Sequence, residues 1–297
     1  MKRGGSVKEG RRRIPLLKRL AIEVLGEDLA KRVWSRVEFI GDIAVIKVPF
    51  SLSPKDLRPL AEALLREVPR VKSVWAAFPG VGGEYRVRSY IHLAGDMRSE
   101  TIYKEYGCLF KIDITKVFLT PRLSYEHMRV AKLVKEGEVV TNMFAGVGTF
   151  SIVIAKYSKP RAVHSIDINP AAYQYMVDNV LLNKVEGIVL PYLGDAARVI
   201  DEKLVSTSDR VLMPLPDLAL PYLPHAVKAL RDRGIVHLYL HVKPSINEDP
   251  RIVAEKAFYS KCIEYGLDCK VIYSRVVRMV GPRKYQVVLD TYCSKVN

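Results

Sequence analysis

The chain has 297 residues, the length of two ordinary domains, and it is 49% hydrophobic and 27% charged, which is typical of a globular protein with an apolar core. No apolar run reaches the roughly 18 residues that span a bilayer, and no apolar segment follows the basic N-terminus as in a secretory signal, so we expect a soluble, cytoplasmic protein. The formal net charge of +15 favours a polyanionic partner such as nucleic acid.

The first part of the chain mixes helix and strand patterns. Apolar residues at helical spacing predict a helix over residues 14–36, and an apolar run predicts a strand over residues 43–48. Ser53 and Pro54 are typical of the start of a second helix. Further strands are predicted over residues 71–78, 85–93 and 109–117. We therefore expect residues 1–112 to form a small α+β domain.

Positive charge is concentrated at the N-terminus. Residues 1–20 contain eight lysine or arginine residues and one acidic residue, Glu9, so this segment alone carries 8 − 1 = +7. Such a segment can be a solvated tail and helix face, or it can bind phosphate groups. We interpret the first domain as one that contacts RNA.

From about residue 120 onward, strands alternate with helices of 10 to 15 residues. This alternation is typical of βαβ units and of a mostly parallel sheet. Two strand patterns follow the last helix, which predicts an antiparallel pair at one edge of the sheet. We expect residues 113–297 to form an α/β domain with a Rossmann-like sheet.

A glycine turn lies between the first strand of this second domain and the helix after it. The turn comprises Phe144, Ala145, Gly146, Val147 and Gly148. Glycine lets the backbone turn tightly and approach a ligand closely, and the N-terminus of the next helix offers unpaired N–H groups. An ordinary tight connection between a strand and a helix has the same pattern, so the turn alone does not define a site.

Acidic residues follow the next two strands. Asp167 comes about twenty residues after the glycine turn, at the offset of an acid that accepts both hydroxyl groups of a ribose. Asp195 ends the third strand, where a carboxylate can receive the amino group of an adenine ring. Asp167, Asn169 and Asp195 can each instead cap the helix that follows.

The glycine turn also restricts the kind of ligand. It lacks the third glycine of the GxGxxG pattern, which leaves less support for a pyrophosphate at the helix N-terminus. We therefore expect a ligand that contains adenosine but no pyrophosphate, and S-adenosylmethionine meets that description. A nicotinamide-dependent oxidoreductase is the alternative that this pattern disfavours.

The four cysteines show no metal-binding spacing. None of them forms a CxxC pair, so no zinc site or other metal site is predicted. We expect plain thiols, with a disulfide between Cys262 and Cys269 as the alternative.

Several segments resemble the archaeal and eukaryotic tRNA guanine-37 N1-methyltransferases, over roughly residues 38–292. The segments that carry the resemblance are Val117–Arg129, Val139–Gly148 and Ile166–Pro170, with shorter matches at Gly41–Val45, Glu105–Cys108 and Pro282–Tyr285. The resemblance implies a class I (Rossmann-like) methyltransferase domain, S-adenosylmethionine as cofactor and tRNA as partner. It implies methyl transfer to N1 of the guanosine 3′ of the anticodon, position 37, by a protein that we expect to be a monomer without membrane attachment.

The resemblance also assigns residues. It implies that Glu126 is the general base that removes the N1 proton, and that Arg86 neutralises charge growing on the guanine O6. The alternatives are a helix ion pair between Glu126 and Arg129, and Arg86 as a surface strand residue. The cofactor contacts implied are His127, Phe144, Ala145, Gly146, Gly148, Asp167, Ile168, Asn169, Asp195, Ala196 and Pro214.

A base that reacts must leave its stack, so an aromatic pocket is expected around the acceptor. Phe144, Tyr125 and Phe150 are the candidates, with a core position as the alternative for Phe150. A place on the helix face is the alternative for His127.

Three positions depart from the family pattern. Asn142 stands where the family usually has Asp, and His127 stands where it usually has Arg. The block that usually reads Asn-Leu-Pro is Pro214-Leu215-Pro216 in this chain, so Pro214 replaces the family's Asn. The Asn of that block is implied to lie near the cofactor and the target base, so Pro214 and Pro216 are candidates for the catalytic centre. Proline offers neither a side-chain hydrogen bond nor a backbone N–H there.

Alternatives therefore remain open. They are an aminocarboxypropyl transferase of the same fold, a second methyltransferase in wybutosine biosynthesis, and a non-catalytic RNA-binding relative. Asp167 and the Arg122-Leu123 pair match the methyltransferase rather than the aminocarboxypropyl transferase. We also expect no counterpart of the extra N-terminal module of many family members, with recognition of the tRNA outer corner reduced or moved to the basic tail.

Overall fold

The computed structural model describes residues 14–80, 82, 83, 85 and 87–295. The first thirteen residues, which supply most of the basic segment, lie outside the described residues, as does Arg86. The chain divides into two units, one of Met1–Gly82 with Arg88–Ser99 and one of Gly83–Val87 with Glu100–Asn297.

Among its described residues, the first unit contains two α-helices, a short 3-10 helix over Pro54–Leu57 and a four-stranded sheet. Its elements are α1 (Leu16–Arg32), β1 (Val37–Ile40), β2 (Ile43–Lys47), α2 (Arg58–Glu67), β3 (Ser73–Ala77) and β4 (Tyr90–Gly95). The strands lie in the order β1-β2-β3-β4, with β2 and β3 parallel and the other pairs antiparallel. Leucines of both helices are buried in one core with residues of the strands. The α+β class predicted for this part is confirmed.

Three details of this unit differ from the sequence prediction. Strand β1 was not predicted, because its four residues are followed at once by the tight turn at Gly41 (φ 57°), which joins it to β2. Helix α1 is interrupted at Gly26 (φ 78°), a conformation that only glycine adopts readily. Strand β4 begins at Tyr90 rather than near Tyr85.

The second unit carries a seven-stranded sheet. In chain order its elements are β5 (Glu100–Glu105), β6 (Cys108–Asp113), α3 (Ser124–Leu133), β7 (Val139–Asn142), α4 (Thr149–Ser158), β8 (Ala162–Asp167), α5 (Pro170–Leu182), β9 (Val189–Leu193), α6 (Ala196–Val199), β10 (Ser208–Met213), α7 (Leu223–Ala229), β11 (Leu230–Val242), α8 (Pro250–Tyr265), β12 (Asp268–Gly281) and β13 (Lys284–Ser294).

The sheet has the order β12-β13-β11-β10-β7-β8-β9. The strands from β11 to β9 are parallel, and β13 is antiparallel to both of its neighbours. The Rossmann-like sheet and the antiparallel pair at its edge are thus confirmed. The chain runs from β7 outward to β8 and β9 on one side and later to β10 and β11 on the other. Ligands of such sheets bind at the carboxyl ends of the strands beside this reversal.

The β5–β6 hairpin belongs to the second unit. Side chains of α5 hold it, because Asn179 and Asn183 each bond a backbone N–H and a backbone carbonyl of β6, at Lys111 and Leu109 respectively. The division between the units accordingly falls at residues 99 and 100, whereas the boundary predicted between 112 and 113 lies inside β6.

The expectation of four plain thiols was wrong. Cys269 and Cys293 form a disulfide, with their Cα atoms 4.1 Å apart, because the antiparallel register places them directly opposite each other on β12 and β13. Cys108 and Cys262 are free and buried, so the alternative pair with Cys262 does not form. Within the part of the chain that the structure describes, no helix has both the length and the apolar character to cross a bilayer.

Candidate cofactor and acceptor site

The glycine turn joins β7 to α4 in the conformation that glycine permits. Gly146 (φ 56°) and Gly148 (φ 90°) are both left-handed, and Gly148 is the N-cap of α4. A Cβ atom on Gly148 would lie 3.2 Å from the side chains of Ile152 and Met176, so this glycine is needed for packing. A Cβ atom on Gly146 would meet only the backbone oxygen of Phe118, at the ordinary van der Waals distance of 3.9 Å, so this part of the backbone is not tightly packed.

Asp167 connects the glycine turn to the next strand end. Its carboxylate accepts the N–H of Gly146 at 2.7 Å and the N–H of Asn169 at 2.9 Å. Burial raises the pKa of Asp167, and these two backbone bonds offset only part of the rise. Each oxygen keeps a further lone pair, which is the acceptor capacity that two ribose hydroxyls require. Asn169 caps α5 by accepting the N–H of Ala171, so the helix-cap role considered for this residue is present.

Asp195 lies at the end of β9 and has two partners. One oxygen caps α6 by accepting the N–H of Arg198 at 3.1 Å, and the other accepts the hydroxyl of Tyr222 at 2.5 Å. Burial and this bond raise the pKa of Tyr222 to about 12. The Tyr222 ring also meets the Phe144 ring edge-on, with 5.5 Å between centroids. Tyr222 thereby connects Asp195 to the glycine turn, and no sequence pattern had singled it out.

The remaining cofactor candidates differ in exposure. Ala196 is buried behind Asp195, and Ile168 is exposed. Pro214 and Pro216 are partly buried in the connection that follows β10. Ala145 bonds through its N–H to the carbonyl of Ile166, which holds the turn against β8.

Glu126 is buried and has three hydrogen-bond donors. The residue is 1% exposed, and its carboxylate accepts from Arg129 Nε (2.9 Å), the Tyr239 hydroxyl (2.9 Å) and an Arg275 terminal nitrogen (2.6 Å). The ion pair between Glu126 and Arg129, which the sequence offered as an alternative to the general-base role, is formed. The two further donors come from β11 and β12, far along the chain.

The network continues inward from Arg129. Its guanidinium binds both oxygens of Asp290, at 2.6 and 3.1 Å. Asp290 also bonds His237 Nδ1 at 2.6 Å, and Nε2 of the same ring lies 2.8 Å from an Arg210 nitrogen. Guanidinium groups only donate, so Nε2 is the acceptor and the proton sits on Nδ1, which donates to Asp290. His237 is therefore a neutral imidazole between an arginine and a carboxylate.

The electrostatics agree with that assignment. Burial lowers the pKa of His237, and the carboxylate of Asp290 only partly compensates. Burial raises the pKa of Asp290, but its hydrogen bonds to His237 and Arg129 and the positive charge of Arg129 outweigh this and set it at about 2.

We expect this histidine to make the protein acid-sensitive. The imidazole of the unfolded chain takes up a proton near its ordinary pKa of 6.5, while the folded ring, whose pKa is lowered, takes one up only at lower pH, so falling pH favours unfolding. Between pH 7 and 5 the free energy of unfolding should fall by up to about 1.4 kcal/mol per pH unit on account of His237. Urea titrations across this range, compared with His237→Gln, measure the effect. An equal slope in both proteins would contradict the assignment.

His127 and Phe150 lie inside the domain. His127 Nδ1 is 2.6 Å from Glu105, and the two rings meet edge-on with 4.4 Å between centroids. Both residues are buried, which agrees with the alternative that Phe150 is a core residue. The proposed contact between His127 and the cofactor stays a prediction.

These features define the class of the protein. The sheet order, the glycine turn at the reversal and an acid at the end of each of the next two strands are those of a class I, S-adenosylmethionine-dependent methyltransferase. The residues present fit an adenosyl ligand, because the loosely packed backbone at Gly146, after β7, and the unused lone pairs of Asp167, at the end of the neighbouring strand β8, lie at the same edge of the sheet.

Comparison with known proteins identifies the family. The TRM5/TYW2 methyltransferase domain matches residues 101–266, and the TYW2 N-terminal domain matches residues 17–99. The chain belongs to the TRM5/TYW2 family of S-adenosylmethionine-dependent tRNA methyltransferases, and the resemblance seen in the sequence is confirmed.

Three relatives describe the range of this family. The tRNA 4-demethylwyosine(37)-methyltransferase Taw21 of Saccharolobus solfataricus is 45% identical, over 87% of this chain and 94% of that protein. The tRNA (guanine(37)-N(1))-methyltransferase Trm5b of Pyrococcus abyssi is 38% identical, over 89% and 76%. The solved complex of aTrm5 with tRNALeu has a TM-score of 0.81 at 31% identity, over 96% of this chain and 79% of that one.

Proposed function

We propose that this protein transfers a methyl group from S-adenosylmethionine to 4-demethylwyosine at position 37 of tRNA. The observation that carries the proposal is Pro214, which follows directly after β10 at the carboxyl edge of the sheet. An acceptor that needs a side-chain donor at that position would find none. The 45% identity to Taw21, over nearly all of that protein, supports the same acceptor.

The burial and hydrogen bonding of Glu126 support the proposal independently. N1 of guanosine carries a proton that a base must remove before the nitrogen can attack. The Glu126 carboxylate is 1% exposed and already accepts hydrogen bonds from three donors, so at least one of these contacts would have to break before it could receive that proton. In the tricyclic 4-demethylwyosine the same nitrogen is closed into the added ring and has no proton. That acceptor therefore does not need Glu126 to remove a proton from N1: the methyl group bonds to another ring atom, and the proton that this atom loses is released to water.

The residues that would hold the cofactor lie along the carboxyl ends of β7, β8 and β9. We assign the ribose hydroxyls to Asp167 and the adenine amino group to Asp195, with Phe144 and Tyr222 as apolar walls. Gly146 lets the backbone approach the ligand. The cofactor supplies an electrophilic methyl group when bound. The chain's own part is to fix the donor and the acceptor in line and to exclude water, which contributes most when the groups are preorganised.

Methylation of guanosine N1 at position 37 is the second candidate. The 38% identity to Trm5b favours it. In that reaction Glu126 would act as the base and Arg86, which lies outside the described residues, would neutralise the charge on O6. The ion pairs of Glu126 with Arg129 and Arg275 would then have to loosen when tRNA binds.

Product analysis distinguishes the two acceptors. The protein is incubated with S-adenosylmethionine and either a tRNA transcript with guanosine 37 or a tRNA that carries 4-demethylwyosine 37, and the nucleosides are analysed by mass spectrometry. We expect one added methyl on the tricyclic base and none on the transcript. A methyl at N1 of guanosine 37 would establish the second candidate. An aminocarboxypropyl adduct on the tRNA would contradict both methyl-transfer candidates.

A further inference from the structure

Tyr125 and Arg275 form an exposed stacked pair outside the predicted cofactor contacts. The Arg275 guanidinium lies over the Tyr125 ring, 4.2 Å from its centroid, at the distance of a strong cation–π contact. Tyr125 is nevertheless 60% exposed, which is unusual for an aromatic residue that already has a partner. The pair presents an aromatic surface and a positive charge to solvent at the same place.

Buried hydrogen bonds hold the Arg275 side chain of this pair in place. Arg275 donates to Glu126, the neighbour of Tyr125, and Glu126 is in turn fixed by Arg129 and Tyr239. The Arg275 side chain is 31% exposed, so one part of it is embedded in the network while another part faces outward. A surface arginine with two anchored contacts loses little further entropy when a third group binds.

The pair also lies at the functional edge of the sheet. Tyr125 is in the first turn of α3, which packs on α4, the helix that the glycine turn starts. Tyr239 is three residues from the end of β11, and its neighbour Leu238 pairs with Met213, the last residue before Pro214. The groups that anchor Arg275 therefore reach the strand ends where the reaction is expected.

We propose that Tyr125, backed by Arg275, is a stacking platform for an unpaired nucleobase of the tRNA anticodon loop. Single-stranded RNA is held chiefly by aromatic rings and guanidinium planes on which splayed bases stack, and the positive charge beside the ring favours the adjoining phosphate. Tyr125 is a binding residue in this account and Arg275 a positioning residue. The inference rests on the proposed position-37 acceptor, because that acceptor brings the anticodon loop to this edge.

Ring and hydroxyl variants test the platform. Tyr125→Leu should raise the Kd for fluorescently labelled full-length tRNA about 5-fold to 100-fold, and the KM for tRNA in parallel, while the affinity for S-adenosylhomocysteine stays unchanged. Tyr125→Phe keeps the ring and should bind within about twofold of the parent. Tyr157→Leu is the matched control, because Tyr157 is 53% exposed but lies in the last turn of α4, away from the glycine turn.

Two results would overturn the platform. One is parent-like tRNA affinity in Tyr125→Leu, and the other is an equal loss in Tyr125→Leu and Tyr125→Phe, since the hydroxyl rather than the ring would then matter. Photocrosslinking with 4-thiouridine in the anticodon loop gives an independent readout, and the crosslink should map to the peptide that contains Tyr125. Binding and crosslinking do not require turnover, so a wrong acceptor assignment leaves both readouts intact.

Discussion

Replacing Asp167 with asparagine is expected to weaken S-adenosylmethionine binding about 100-fold. The ionised carboxylate offers charge-assisted bonds to two ribose hydroxyls, each worth roughly 1.5–3 kcal/mol. It also accepts the N–H groups of Gly146 and Asn169, one on each oxygen. An amide replaces one of these acceptors with a donor, so one backbone N–H loses its partner and the turn shifts. Isothermal titration with S-adenosylmethionine and S-adenosylhomocysteine measures the change.

Asp178→Asn is the matched control for this prediction. Asp178 lies on α5, in the helix that Asn169 caps, and forms a long ion pair of 3.8 Å with Lys111 and accepts a hydrogen bond from Gln174 at the surface. Its replacement should leave cofactor affinity within about twofold of the parent, since surface ion pairs contribute little. Parent-like affinity in Asp167→Asn would remove Asp167 from the cofactor site.

Replacing Arg129 with methionine is expected to reduce the free energy of unfolding by about 3–5 kcal/mol. Arg129 is the shared counterion of Glu126 and Asp290, and both carboxylates are buried. Without it, Asp290 retains only the neutral His237, and a buried carboxylate without its cation is strongly unfavourable. Urea denaturation at pH 7 measures the loss.

Arg198→Met provides the comparison for an exposed pair. Arg198 forms an ion pair with Glu202 one helical turn away, and its side chain is 77% exposed, so we expect no measurable loss of stability. A loss below about 1 kcal/mol in Arg129→Met would mean that water or a shift of the helix compensates, and that the network does not hold the site together.

Local patterns were sufficient to predict the framework of the site. The glycine turn, Asp167 and Asp195 follow three consecutive strands, and a parallel sheet brings such strand ends to one edge whatever the intervening helices contain. The same rule predicted the βαβ order and the antiparallel edge. The helix caps at Asn169 and Asp195 are also local, because each accepts from a residue two or three positions later.

The partners of these residues were not predictable in the same way. Arg129 and Asp290 are 161 residues apart, and Glu126 and Arg275 are 149 apart, so no spacing rule connects them. Strand register alone brings Cys269 opposite Cys293. The sequence also gave no reason to choose Tyr222, whose bond to Asp195 exists only because α7 begins beside the end of β9.

A competition assay compares the two acceptors in a single reaction. The assay mixes two tRNAs at equal concentration, one with guanosine 37 and one with 4-demethylwyosine 37. Limiting S-adenosylmethionine, labelled in its methyl group, is then added. The label found in each nucleoside gives the ratio of the two kcat/KM values. We predict that the tricyclic base receives the label in excess of about 100-fold. Equal labelling, or a preference for guanosine 37, would rule out 4-demethylwyosine as the preferred acceptor and return Glu126 to the role of general base.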